Sequence, residues 1–229
     1  GIPNISESIN LYRDIEILSY SGGKIHIPYV TTSKGVDLIR EAKKNNLDIT
    51  ASVSLAHITF SEKDIPEFDT NYKLIPPLRS ESDLNSLKEG LVDGTLDYLT
   101  SMHEPFDVDN KKIVFDNASS GSIGLESMFG LMSNQFTLEK TIDILTRKKI
   151  IFEVDDHPIE IGSLADLSLF NPDKNYNFSE NHILSTSKNC AFIDSRHKGI
   201  VYGSINGKKF SLNKLWTCLL YTSDAADDV

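Results

Sequence analysis

Apolar residues recur along the first stretch of the chain at steps of three and four: Ile5, Ile9, Tyr12, Ile15 and Leu18 share one helical face. Gly22-Gly23 follow, residues that tolerate the positive φ of a helix stop, so the pattern predicts a helix over residues 4–20. A short β-rich run over 24–30 comes next. Ser33 then stands where an N-cap belongs, ahead of Val36, Ile39 and Ala42 on a helix that ends near Asn45-Asn46. Residues 48–54 read as a strand, and 70–76 as a further short one after a loop. Ser80 with Asp83 forms a capping box that opens a helix through Leu84, Leu87 and Leu91 to Gly94. Residues 96–102 predict another strand, and helices rich in Leu and Ile follow at 123–133 and 137–148.

Strands alternating with helices in this way predict an α/β fold of parallel βαβ units. Four such strands make half of a (β/α)8 barrel of the TIM type, with two open edges. The expectation is that a longer protein supplies the remaining strands, and the opening Gly1-Ile2-Pro3, without a Met, agrees with it. Beyond residue 150 the texture changes. Residues 159–162, 165–170 and 199–207 alternate between turn glycines, and Ile205-Asn206-Gly207-Lys208 marks a hairpin, so a small C-terminal β subdomain is expected. The chain thus divides into a barrel half over 1–150, a β subdomain over 151–215, and a tail over 216–229. That tail resembles adapter read-through and is left out of the fold reasoning.

Composition narrows the function. With 39% hydrophobic residues in 229, one sizeable core is within reach. A net charge of −10 and a pI near 5.0 argue against a nucleic-acid or anionic-membrane surface, and Lys208-Lys209 read as a solvated loop. Cys190 and Cys218 lack metal-ligand or disulfide-framework spacing, which fits a reducing cytoplasm. No apolar run approaches the roughly 20 residues of a bilayer span.

The most specific string runs from Phe68-Asp69-Thr70-Asn71-Tyr72 through Ile75-Pro76-Pro77-Leu78-Arg79 to Gly90-Leu91-Val92-Asp93-Gly94-Thr95-Leu96-Asp97. Four more strings accompany it: Gly22-Gly23-Lys24-Ile25-His26-Ile27, Gly121-Ser122-Ile123-Gly124-Leu125-Glu126, Gly162-Ser163-Leu164-Ala165-Asp166-Leu167 and Ser187-Lys188-Asn189-Cys190-Ala191-Phe192-Ile193. In this order they resemble the C-terminal half of dihydroorotases, in the amidohydrolase superfamily, over about residues 1–215. The resemblance implies a distorted barrel with two zinc ions at the C-terminal strand ends, bridged by a carboxylated Lys, and a small β domain. It also implies the reversible cyclisation of N-carbamoyl-aspartate to dihydroorotate, in pyrimidine biosynthesis.

At the positions that carry this chemistry the chain departs from the family. Where the family reads His-Ile-x-His, the second His, a zinc ligand, falls on Tyr29. Where it reads Thr-Pro-His-His, the ligating first His falls on Ala56, followed by His57. In the family's Thr-Asp-His-x-Pro-His, the catalytic Asp falls on Met102, followed by His103, and the final His falls on Phe106. The substrate-binding Asn before Pro-Pro-Leu-Arg is Ile75. Phenol, methyl and thioether groups are poor zinc ligands, and a thioether carries no proton at neutral pH. The expected pocket is therefore vestigial, formed by Tyr29, Ala56, His57, Ile75, Met102, His103 and Phe106. It has no catalytic residue, no metal and no cofactor, and its apolar replacements are expected to close into packed core. Zinc is expected only if the family activity is retained.

Plainer readings stand beside the sharp ones. His26, His57 and His103 fall next to ligand positions and read as structural histidines. Asp64, Glu67 and Asp69 read as a surface acidic loop, Asp155-Asp156-His157 as a solvated turn, and Arg79 as a loop anchor. Glu104 is the one new acid at the barrel mouth that could act as a replacement base. The resulting expectation is a metal-free, non-catalytic dihydroorotase homologue kept for assembly with aspartate carbamoyltransferase or for self-association; the alternative is an active dihydroorotase.

Overall fold

The computed structural model describes residues 2–147, 152, 154 and 158–213. Helix α1 (Asn4–Ser21) buries Leu11 and Leu18 and stops at Gly22, whose amide donates to the Leu18 carbonyl. Strand β1 (Ile25–Ile27) leads to α2 (Ser33–Lys44), capped one residue earlier than expected: the Thr32 hydroxyl accepts from the Gly35 amide. The Ser33 amide is instead held by Asp83 Oδ1 at 2.8 Å. Strand β2 (Ile49–Ser54) passes directly into the short helix α3 (Leu55–Thr59), so the predicted strand ends at Ser54 and Ala56 is helical.

Helix α4 (Glu81–Asp93) forms with only half of the expected capping box, because the Asp83 carboxylate accepts from the Ser80 hydroxyl and the Ser33 amide in place of the Ser80 amide. Ser80 Oγ accepts from the Asp83 amide and donates to its carboxylate at 2.6 Å, and Gly94 closes the helix at φ 82°. Strand β3 (Tyr98–Thr100), the four-residue α5 (Val108–Lys111), α6 (Met128–Gln135) and α7 (Leu138–Thr146) follow.

The parallel sheet runs in the order β1-β2-β3, with Ile27 opposite Ala51 and Ser54 opposite Thr100. Alternation along the strands sets Ile49, Ala51 and Val53 on one face and Thr50, Ser52 and Ser54 on the other. Among the described residues three parallel strands form, against the four expected. Residues 70–76 make a 3-10 turn (Thr70–Tyr72) and then a chain with a cis Ile75–Pro76 bond. Pro76 and Pro77 have no N–H to give a ladder, which removes that segment from the sheet. The predicted helix over 123–133 also starts late. The Ile123 amide donates to the Asn189 carbonyl, and a Cβ on Gly124 would lie 2.8 Å from the Ser101 carbonyl oxygen, so this stretch crosses the strand ends extended.

Strands β4 (Asp166–Asn177), β5 (Arg196–Asn206) and β6 (Lys209–Leu212) form an antiparallel sheet with the expected hairpin turn at Gly207-Lys208. Residues 159–162 do not join it; Ile159 and Ile161 lie exposed in a turn. Residues 155–157 and the tail 216–229 lie outside the described residues. A single apolar cluster runs from Leu11 and Val36 through Val53 to Phe178, Ile183 and Phe192, so the sheets share a core. Among the described residues no helix is long and apolar enough to cross a membrane.

Candidate functional site

Tyr29, Ala56 and Met102 each lie two residues past the last residue of β1, β2 and β3. Because these strands are parallel neighbours, the three positions share the C-terminal rim of the sheet, where barrel folds place their chemistry. The backbone there is unusual. Tyr29 has φ 54° and Met102 φ 46°, a left-handed conformation that costs a non-glycine residue about 1–3 kcal/mol. Local bonds hold both turns: the Val30 amide donates to the Ser52 carbonyl and the Met102 amide to Thr100 Oγ1.

The side chains on this rim offer little coordination chemistry. Ala56 is buried in the apolar cluster and Met102 is buried outside it, while Tyr29 and Phe106 are half-buried. Ile75 does not close into the core as expected. It is 60% exposed at the edge of a cleft of about 280 Å³ that it lines with Leu11, Tyr29, Pro76, Pro77 and Arg79.

The three histidines have separate partners. Buried His57 bonds through Nδ1 to Ser54 Oγ at 2.7 Å and through Nε2 to the Pro76 carbonyl at 3.0 Å. Burial lowers its pKa to about 4, against the opposing pull of the Pro76 and Pro77 carbonyls. His26 stacks on Tyr98 and bonds Thr50 Oγ1, Ser52 Oγ and the Tyr98 hydroxyl, and burial lowers its pKa although Asp97 opposes. His103 Nδ1 accepts from the Leu125 amide and lies 3.8 Å from Glu126 Oε2. Among the described residues no three His, Cys, Asp or Glu side chains are grouped as a metal would need.

The described residues at this rim offer a zinc ion no fitting donor set. At the positions where the resemblance implies ligands stand a phenol and a methyl, and both nitrogens of the adjacent His57 are already hydrogen-bonded. Glu104 lies beside Met102, and burial raises its carboxyl pKa with Lys111 opposing. Its carboxylate packs over Gly121, where a Cβ would come within 2.6 Å of Oε2. Two of the three acids of the loop have local partners: Asp64 accepts from the Ser61 amide and hydroxyl, and Asp69 accepts from the Asn71 amide.

Sequence reasoning did not find the layer of loops that shapes the rim. Lys111, 5% exposed, donates to the carbonyls of Thr70, Ser119 and Gly121 at 2.6–2.9 Å. Lys73 does the same to Phe115, Asp116 and Ala118. An ammonium has three donors, and each lysine uses all of them on backbone. Buried Asn189 accepts from the Phe106 amide and donates to the Glu104 and Gly121 carbonyls. Glu126 takes the Leu184 and Ser185 amides. Arg79 is buried, as a loop anchor requires, with bonds to the Ile2 carbonyl and Thr31 Oγ1. Asn189 and Glu126 fall inside distinctive strings, a signal that they matter, but spacing alone shows no partner.

No family model matches the chain. It is 35% identical over 200 residues to the dihydroorotase of Listeria monocytogenes serovar 1/2a, matching 84% of this chain and 47% of that protein. The chain spans about half the length of the curated relatives it matches. Among solved structures, the L-hydantoinase (dihydropyrimidinase) from Arthrobacter aurescens superposes with a TM-score of 0.82 at 21% identity, over 93% of this chain and 50% of that one. The inactive dihydroorotase-like domain of a CAD-like multifunctional protein from Chaetomium thermophilum gives 0.65 at 18% identity, over 87% and 54%. These two likenesses establish a shared fold.

Proposed function

We infer from the likeness to dihydroorotases that this chain is the C-terminal half of a protein of that family, and that this copy is metal-free and non-catalytic. The reading rests on one observation above the others: Met102 stands at the strand end where the family carries its catalytic Asp. A thioether neither accepts a proton at neutral pH nor binds a borderline metal well, so base and electrophile are weakened together. Tyr29 and Ala56 remove the imidazoles that the family uses on the two neighbouring strands. His57 is no substitute, because its ring is buried, neutral and committed to Ser54 and Pro76. A solved neighbour is itself described as an inactive dihydroorotase-like domain of a multifunctional protein. The role proposed for this copy, from the resemblance to dihydroorotases alone, is assembly with aspartate carbamoyltransferase or with itself.

The second reading is a working dihydroorotase, favoured by the 35% identity to a dihydroorotase and by Glu104 beside the rim. One experiment separates the two: elemental analysis of the full-length protein for zinc, with dihydroorotate turnover followed in the ultraviolet. The proposal expects zinc far below one per chain and no turnover above background. Stoichiometric zinc with turnover would reject it. Co-purification of the full-length protein with a carbamoyltransferase tests the assembly role.

A further inference from the structure

We draw no further inference here: the strongest candidate, the cleft between α1 and residues 75–79 that buried Arg79 lines, belongs to the site already described, and nothing in the structure shows what covers it.

Discussion

The rim of the parallel sheet and the loop layer beside it differ sharply in how they use polar atoms. At the rim, Tyr29, Ala56 and Met102 present groups with little or no capacity to bind a metal. In the loops, Lys73 and Lys111 each spend three donors on backbone carbonyls, and Asn189 fastens residues 104, 106 and 121 together. The contrast teaches that the shape of the strand ends does not depend on the side chains that would do chemistry there. Loop cages and local backbone bonds keep even the left-handed turns at Tyr29 and Met102 in place. Rim residues can therefore change identity while the architecture persists.

If that division is right, the loop layer should be far more sensitive to substitution than the rim. Lys111→Met should have the largest effect, lowering unfolding free energy in urea by about 3–4 kcal/mol, because one buried and two partly buried carbonyls lose a charged donor. A loss under about 1 kcal/mol would erase the contrast.

Acid should act on two buried histidines: His57 beside the rim, and His197 in β5, stacked on Phe178. Burial holds both at pKa values of about 4, from 6.5 when unperturbed. Between those values the unfolded chain takes up protons that the folded chain refuses, so stability is complete above pH 6.5 and falls as pH drops toward 4. Each histidine contributes about 3 kcal/mol to that fall. Unfolding free energy measured against pH should show it, and His57→Gln, which keeps a donor for the Pro76 carbonyl, should remove its share of the slope.

Asn189→Ala comes next, at about 2 kcal/mol, for the unpaired Phe106 amide and Glu104 carbonyl, while the Gly121 carbonyl keeps Lys111. The smallest effect belongs to the rim: Met102→Leu, a swap that conserves volume at a buried position, should cost less than about 1.5 kcal/mol in the same urea assay. Equal losses for Asn189→Ala and Met102→Leu would show that rim and loops are one cooperative unit.

Much of the helical part was legible in the chain. Leu84, Leu87 and Leu91 between Ser80 and Gly94 carry spacing and both end signals within fifteen residues, and α4 forms there. Residues 70–76 were misread because β-rich composition outweighed Pro76-Pro77, whose missing donors decide the matter. The helix expected from 123 fails for a nonlocal reason, since the Ile123 amide goes to Asn189, sixty-six residues onward. Ile75 shows the same limit: an apolar residue type does not by itself report burial, and the cleft leaves it exposed.

The sequence by itself determined which atoms stand at the rim, because the identity of a side chain fixes its ligand and proton chemistry wherever it lies. It determined the local helices too, whose spacing and caps act within a few residues. Tertiary structure alone decided that Tyr29, Ala56 and Met102 share one rim, that His57 is sealed, and that two lysines hold the loops. Each of those depends on partners far away along the chain, and only folding brings an ammonium and three carbonyls within hydrogen-bond reach.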